Sequence, residues 1–419
     1  MHIAVLSDPS SFHTKKWTKA LKAAGAQVTV FSFSGEELPH VPCVKVTPKF
    51  TRKGEITYGS YLYSTQELYT QLARHEIDIV NPINVTPFGV WATRCGYKPI
   101  VSIAMGADIL EYPPNGEKAS FPWSRRWSKV DKETPISLIQ GVAKRPVFRH
   151  HVAQALKRSD MVMADNQRLI DAMVSWFGVP RQKTRLNRWG IEPELFEWNE
   201  GIQDQLKEKY GIRSWQKLVL SPRGVKPIYQ GDIIISAFEK LLLRGVRDLK
   251  FLMLSAGYEV PQAIAKKAQE LSKQFENFHF EEGLIPREEM MQLWSLTDMF
   301  ISSPVYDGQS NALNEGRFAG AIPIVNPIPA NKELIQHQRN GIIVDPFTAE
   351  YLADAILEVQ ESLEMYKNGF GWENQSWIQE HAILSHNISQ FLHTCESVIL
   401  RHQRKHSPFI SLSTKVSRG

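Results

Sequence analysis

Asp307 and Glu315 flank a seven-residue polar segment in "DGQSNALNEG". Paired acids can hold a metal, act as general acid and base, or accept hydrogen bonds from sugar and ribose hydroxyls. Ser310 or Asn311 can cap a helix, and Gly308 allows close backbone approach. A helix beginning near Ser310 would turn its unsatisfied N–H groups toward an anion. Glu315 would then lie about five residues into the helix, roughly 7 Å along its axis. At that separation the acids reach different parts of one extended ligand and are poorly placed to share one small ion. A second cluster, Arg223 and Lys226 in "LSPRGVKP", follows an apolar run. Arginine grips oxygens bidentately and lysine acts as a point charge, a combination suited to a diphosphate. From local pattern alone, a plain capped helix, surface acids and solvated loop cations remain open.

Several chemistries are excluded by what the sequence lacks. No Gly-rich run ends in Gly-Lys-Ser/Thr, and no Gly-x-Gly-x-x-Gly follows the first strand. The opening "HIAVLSDPSSFH" presents Ser10, Ser11 and His13 instead, which argues against a nicotinamide or flavin dehydrogenase. No Gly-x-Ser-x-Gly elbow marks a serine hydrolase. No His neighbours the acidic pair and no Asp-x-Asp stands at a strand end, so no metal site is expected.

The elements that must position these residues read as two βα series. "HIAVLS", "TKKWTKALKAAG" and "AQVTVFSF" form a strand–helix–strand opening. "IDIVNP", "KPIVSIA" and "DMVMAD" continue it, with a helix from about Asn166 to Phe177. A second series starts near residue 216 with "KLVLSPR" and runs through "LKFLMLSAG", "FHFEEGL", "DMFISSP", "IPIVNP" and "GIIVDP", with helical segments between them. The spacing predicts an α/β protein with two Rossmann-like domains. We expect domains over 1–205 and 206–372 with a hinge near 205, helices over 373–395 returning to the first domain, and a basic flexible tail over 396–419. Ligands of such sheets bind beyond the carboxyl ends of the strands, where Arg223 and Asp307 fall.

The chain has 419 residues, 42% apolar and 22% charged, a composition with ample core for two domains. The formal charge of +5 suits anionic substrates or an anionic membrane surface. Two stretches, "PWSRRWSKVDKE" and "VAKRPVFRHH", interleave basic and aromatic residues and leave peripheral membrane contact open. No run is basic enough for a nucleic-acid arm. Cys43, Cys95 and Cys395 are few and scattered, which fits a reducing cytoplasm. The start lacks a signal peptide's charged lead and apolar core, and no apolar run nears 18 residues.

The combination resembles retaining glycosyltransferases of the two-Rossmann-domain (GT-B) type, the large group that includes sucrose-phosphate synthase and bacterial polysaccharide glycosyltransferases (glycosyltransferase family 4). That family carries two acids separated by seven residues, usually both Glu. Here the first is Asp307, and the second is Glu315 in "EGRFAGAIPIV". Arg223 and Lys226 match its basic pair at a compressed spacing. "FEEGLIPREEMMQLWSLTDMFISSP" is similar to its base-binding region, "RWGIEPELF" to its connector, and "VSIAMGADIL" to its "HGSD" segment, with Met105 where a His is common.

The resemblance implies a sugar transfer from a UDP- or GDP-sugar to a hydroxyl acceptor without a metal or other cofactor. Glu315 would bind ribose, Asp307 the sugar, and Arg223 with Lys226 the leaving diphosphate. Gly283 and Leu284 would lie beside the base, and Gln309, Ser310 and Asn311 would offer backbone groups. Ser11, His13 and Asp108 would face the acceptor or the donor phosphate. Two rivals stay open: a non-catalytic nucleotide-sugar or glycan-binding subunit, and an epimerase or phosphorylase on the same architecture.

Overall fold

The computed structural model describes residues 1–114 and 135–406. In the first domain, β1 (His2–Leu6), β2 (Gln27–Ser32), β3 (Cys43–Lys45) and β4 (Ile79–Pro82) form a sheet in the order β3-β2-β1-β4. Strands β5 (Val101–Ala104), β6 (Met161–Ala164) and β7 (Thr184–Leu186) follow in that order. Parallel bridges Val80–Ile100 and Ile83–Ile103 join the two sets. The strands read as unbroken apolar runs because both faces are covered by helices. On one face, helix Phe12–Ala23 buries Trp17 and Leu21, each contributing about 1.5–3 kcal/mol. The Trp17 indole N–H donates to Asn81 Oδ1 at 2.9 Å, so its polar edge is satisfied inside the core.

The second sheet contains β8 (Lys217–Ser221), β9 (Leu249–Leu254), β10 (Phe278–Glu281), β11 (Met299–Ser302), β12 (Ile322–Val325) and β13 (Ile342–Ile343). Its order is β10-β9-β8-β11-β12-β13, with parallel pairing throughout. The order reverses between β8 and β11. Chain connections leave that point in opposite directions and open a crevice at the strand ends. Arg223 follows β8 and Asp307 follows β11, so the topology itself brings the two clusters together.

The chain crosses between domains around Gly190–Ile191 and returns at Ala382–Leu384. Ile191 N–H donates to Ala382 O, and Leu384 N–H donates to Ile191 O, each at 2.8 Å. The expected hinge near 205 is therefore displaced. Residue 205 lies inside helix Glu200–Tyr210, whose Leu206 and Tyr210 pack into the second domain's core. The helix Leu363–His381 also belongs to that domain. Helix Leu384–His406 returns, burying Ile388, Phe391, Cys395 and Val398 against Trp17 and β1. It extends through residues expected to be a flexible tail, because its apolar stripe continues past 395. Residues 407–419 and the "PWSRRWSKVDKE" stretch lie outside the described residues, whereas "VAKRPVFRHH" falls on helix Pro135–Arg158. Among the described residues, no helix is long and apolar enough to cross a membrane.

Candidate functional site

Arg223 and Asp307 form a part-buried ion pair, Nη1 to Oδ2, at the mouth of the switch point. The Arg223 guanidinium also lies 4.7 Å from the Tyr229 ring centroid. Burial alone would weaken its charge, but Asp307 outweighs that and raises its pKa, so Arg223 stays cationic. Lys226 Nζ sits 4.1 Å from the Tyr258 ring centroid. Both expected cations thus face aromatic rings at one strand edge, an arrangement that holds them in place.

Helix Asn311–Phe318 begins where the sequence predicts. Ser310 is its N-cap, and its Oγ accepts the Leu313 N–H at 3.2 Å. Gln309 Nε2 donates to Asn314 Oδ1 at 3.1 Å. Gln309 Oε1, Asn311 Oδ1 and His13 Nδ1 are buried without a partner. Unsatisfied buried polar atoms are rare and mark where a ligand or water belongs. His13 packs against Trp189, centroids 4.9 Å apart. Its pKa is lowered to about 4 by burial first, then by Lys16 and Arg223. With its pKa lowered to about 4, the imidazole is neutral near pH 7.

Glu315 is 6% exposed and stands one and a half turns into the helix. Arg287 Nη1 donates to its Oε1 at 3.1 Å, and Trp294 Nε1 donates to its Oε2 at 3.2 Å. Arg287 Nη2 also holds Glu192 Oε2 at 2.9 Å, and its guanidinium lies 5.1 Å from the Phe12 ring centroid. Lys16, a buried residue of the first domain, donates to Gly190 O at 2.6 Å. Burial lowers its pKa to about 8, against the opposing pull of Glu315. Arg287, Trp294, Glu192 and Lys16 were not among the expected site residues. "PREEMM" was legible as a helix start, but nothing local says that its Arg reaches an acid 28 positions later.

The expected base-side residues lie at the ends of β9 and β10. Gly283 has φ +98 and its N–H donates to Ser255 Oγ at 2.8 Å. Gly257 N–H donates to Gly283 O at 2.8 Å. Leu284 is 79% exposed and so is available to a ligand surface.

On the first domain, Ser11 is the N-cap position of helix Phe12–Ala23, beside His13. Asp108 is buried, and both oxygens accept backbone N–H groups: Val85 at 2.6 Å and Met105 at 2.9 Å. Those bonds make it a brace for the Met105–Gly106 turn. An acid of the first domain that meets the Asp307–Gln309 loop is Asp165, which sequence reasoning did not single out. Its Oδ2 accepts the Gln309 N–H at 2.9 Å from the opposite domain. Among the described residues, no three His, Cys, Asp or Glu side chains gather to hold a metal.

Two Rossmann-like sheets facing one another across this cleft define the GT-B class. Residues 2–131 match a family model described as glycosyl transferase 4-like. Residues 221–362 match one described as glycosyl transferases group 1. The chain therefore has the GT-B fold, and each of its two domains matches a glycosyltransferase family model. A search of curated protein sequences found no match. Among solved structures, sucrose-phosphate synthase from Thermosynechococcus elongatus aligns with a TM-score of 0.72 at 14% identity, over 96% of this chain and 100% of that one. A glycosyltransferase from Rickettsia africae aligns with a TM-score of 0.71 at 14% identity, covering 96% and 98%. Anabaena HepE, solved in complex with UDP-glucose, aligns at 0.69 with 15% identity, covering 95% and 100%. At such identities the likeness speaks for the fold, and the chemistry must be argued from this chain's own residues.

Proposed function

We propose that the protein is a retaining glycosyltransferase that moves a sugar from a nucleoside-diphosphate sugar to a hydroxyl acceptor, with no metal required. The observation that carries this is the convergence at the β8/β11 switch point. Arg223, Asp307 and the start of helix Asn311–Phe318 meet there, with Glu315 further along the same helix. Arg223, Lys226 and the helix N–H groups meet the leaving diphosphate and stabilise the charge that builds on it. Asp307 accepts sugar hydroxyls, exchanging part of its bond to Arg223. Glu315, held in place by Arg287 and Trp294, accepts ribose hydroxyls through its remaining lone pairs. Gly283 and Leu284 flank the base. Closure of the two domains over the cleft excludes water and so limits hydrolysis.

Retention of configuration rests on the family resemblance. On a front-face route, the departing phosphate oxygen takes the acceptor proton as the new glycosidic bond forms. UDP- or GDP-sugars are the donors to try, in glycan, glycolipid or polysaccharide synthesis. The three free cysteines suit a cytoplasmic site, at or near an anionic membrane face. The test is a thermal-shift screen of nucleoside diphosphates and their sugars, followed by product analysis with hydroxyl acceptors. A selective rise in Tm with one nucleotide class supports the reading. No response to any nucleotide would overturn it. Binding without turnover across a broad acceptor set would favour a binding subunit.

A further inference from the structure

Asp165 has no part in the chemistry above, yet it sits against the loop on which that chemistry depends. It follows β6 on the first domain and is 3% exposed. One oxygen accepts from Asn166 Nδ2 at 3.0 Å, and the other accepts from the Gln309 N–H of the second domain at 2.9 Å. The fit leaves no slack. A Cβ on Gly308 would lie 2.7 Å from Asp165 Oδ2 and 2.9 Å from Oδ1. A Cβ on Gly106 would lie 2.9 Å from Gly308 N. The ends of β5 and β6 therefore bracket Gly308 from the first domain, immediately beside Asp307.

A buried acid is costly to keep unless it is hydrogen-bonded. The charges Asp165 feels most are acids, Asp307 and Asp108. Of its two donors, the Gln309 amide is available only while the two domains are packed together. That amide also precedes Ser310 and Asn311, so fixing it fixes the direction in which the helix start points.

We propose that Asp165 is a positioning residue that sets the Asp307–Gln309 loop through the Gln309 amide, so that the sugar end of the donor site is complete only when the domains close. This rests on the reading of that loop as part of a nucleotide-sugar site. The arrangement calls for Gly308 on one domain and an acceptor at 165 on the other.

The test compares Asp165→Ala, Asp165→Asn, Gly308→Ala and the double variant Asp165→Ala with Gly308→Ala. Asp165→Ala should raise the KM for the nucleotide sugar about tenfold or more, while affinity for the free nucleoside diphosphate stays within about threefold. Asp165→Asn keeps a carbonyl acceptor and should restore most of the loss. Gly308→Ala should lower both Tm and donor affinity through its clash with the carboxylate. Removing that carboxylate relieves the clash, so the double variant should be no worse than Asp165→Ala. Equal losses for nucleotide and nucleotide sugar, or no rescue by Asn, would overturn the positioning role. The Tm cycle needs no ligand, so additive Tm losses would overturn the inter-domain link separately. Wild-type protein that binds no nucleotide sugar would overturn the proposed function itself.

Discussion

The two ends of the segment 307–315 are built differently. Glu315 lies inside a helix and is held by Arg287 and Trp294, both from its own domain. Asp307 lies in a loop whose next residues touch Gly106 and Asp165 of the other domain. The Glu315 end is prebuilt within one folding unit. The Asp307 end is a joint product of two. A nucleotide should therefore recognise the second domain largely on its own, while sugar binding and transfer should report on closure. The Phe12–Arg287 contact qualifies this, because it brings the first domain to the outer side of the Glu315 end as well.

Mutations can break that contrast. The largest effect is expected for Arg223→Ala, which removes a preorganised cation from the leaving group and strands Asp307. Transfer should fall about 10²–10³-fold, measured as kcat/KM. A loss confined to nucleotide affinity would place Arg223 outside the chemistry. Glu315→Gln comes next. Losing charge-assisted bonds costs about 1.5–3 kcal/mol, so nucleoside-diphosphate affinity should drop about 10–100-fold, with some loss of Tm. Asp307→Asn should reduce turnover and blur discrimination between sugars, with nucleoside-diphosphate affinity within about threefold. Activity assays with several sugars on one nucleotide would check it.

The smallest effect is on stability against pH. Burial pushes the Asp165 pKa up to about 8, with Asp307 and Asp108 adding to the rise. The Gln309 N–H opposes it, and Arg188 is the cation within electrostatic reach. The folded state then holds a proton that the unfolded chain loses near the ordinary carboxylate pKa of about 4. That contribution is full below about pH 4 and is lost as pH rises toward 8. Asp165→Asn should gain stability relative to wild type across this window, as denaturant midpoints at pH 5 and pH 8 would reveal. A constant difference between the two would mean that Asp165 is ionised throughout.

Much of this was legible in the sequence because it is local. The strand runs, the Ser310 cap and the acid spacing depend on neighbours within one turn or one strand. So does the helix Gln167–Phe177, whose N-cap Asn166 accepts the Leu169 N–H. The domain boundary was not legible. "EWNEGIQDQLKEKY" is polar enough to pass for a linker, but Leu206 and Tyr210 form an apolar stripe that docks on the second core. The crossing instead uses Gly190 and Ile191, which pair with a segment almost two hundred residues away. Asp165 and Arg287 were missed for the same reason. Each looks like an ordinary residue at a strand end or helix start; Asp165 acquires its role only when the domains meet, and Arg287 only when the second domain folds Glu315 against it. Asp108 stands in a segment similar to a family motif, but its bonds to the Val85 and Met105 amides, which only the fold brings within reach, were not legible.

The central claim is that one segment divides its work, Glu315 for the nucleotide and Asp307 for the sugar. Calorimetric titration of a nucleoside diphosphate and its sugar into wild type, Glu315→Gln and Asp307→Asn tests it most directly. The account predicts that Glu315→Gln weakens both ligands together, while Asp307→Asn removes only the added affinity of the sugar. Unchanged nucleoside-diphosphate affinity in Glu315→Gln, or equal losses for both ligands in Asp307→Asn, would contradict it.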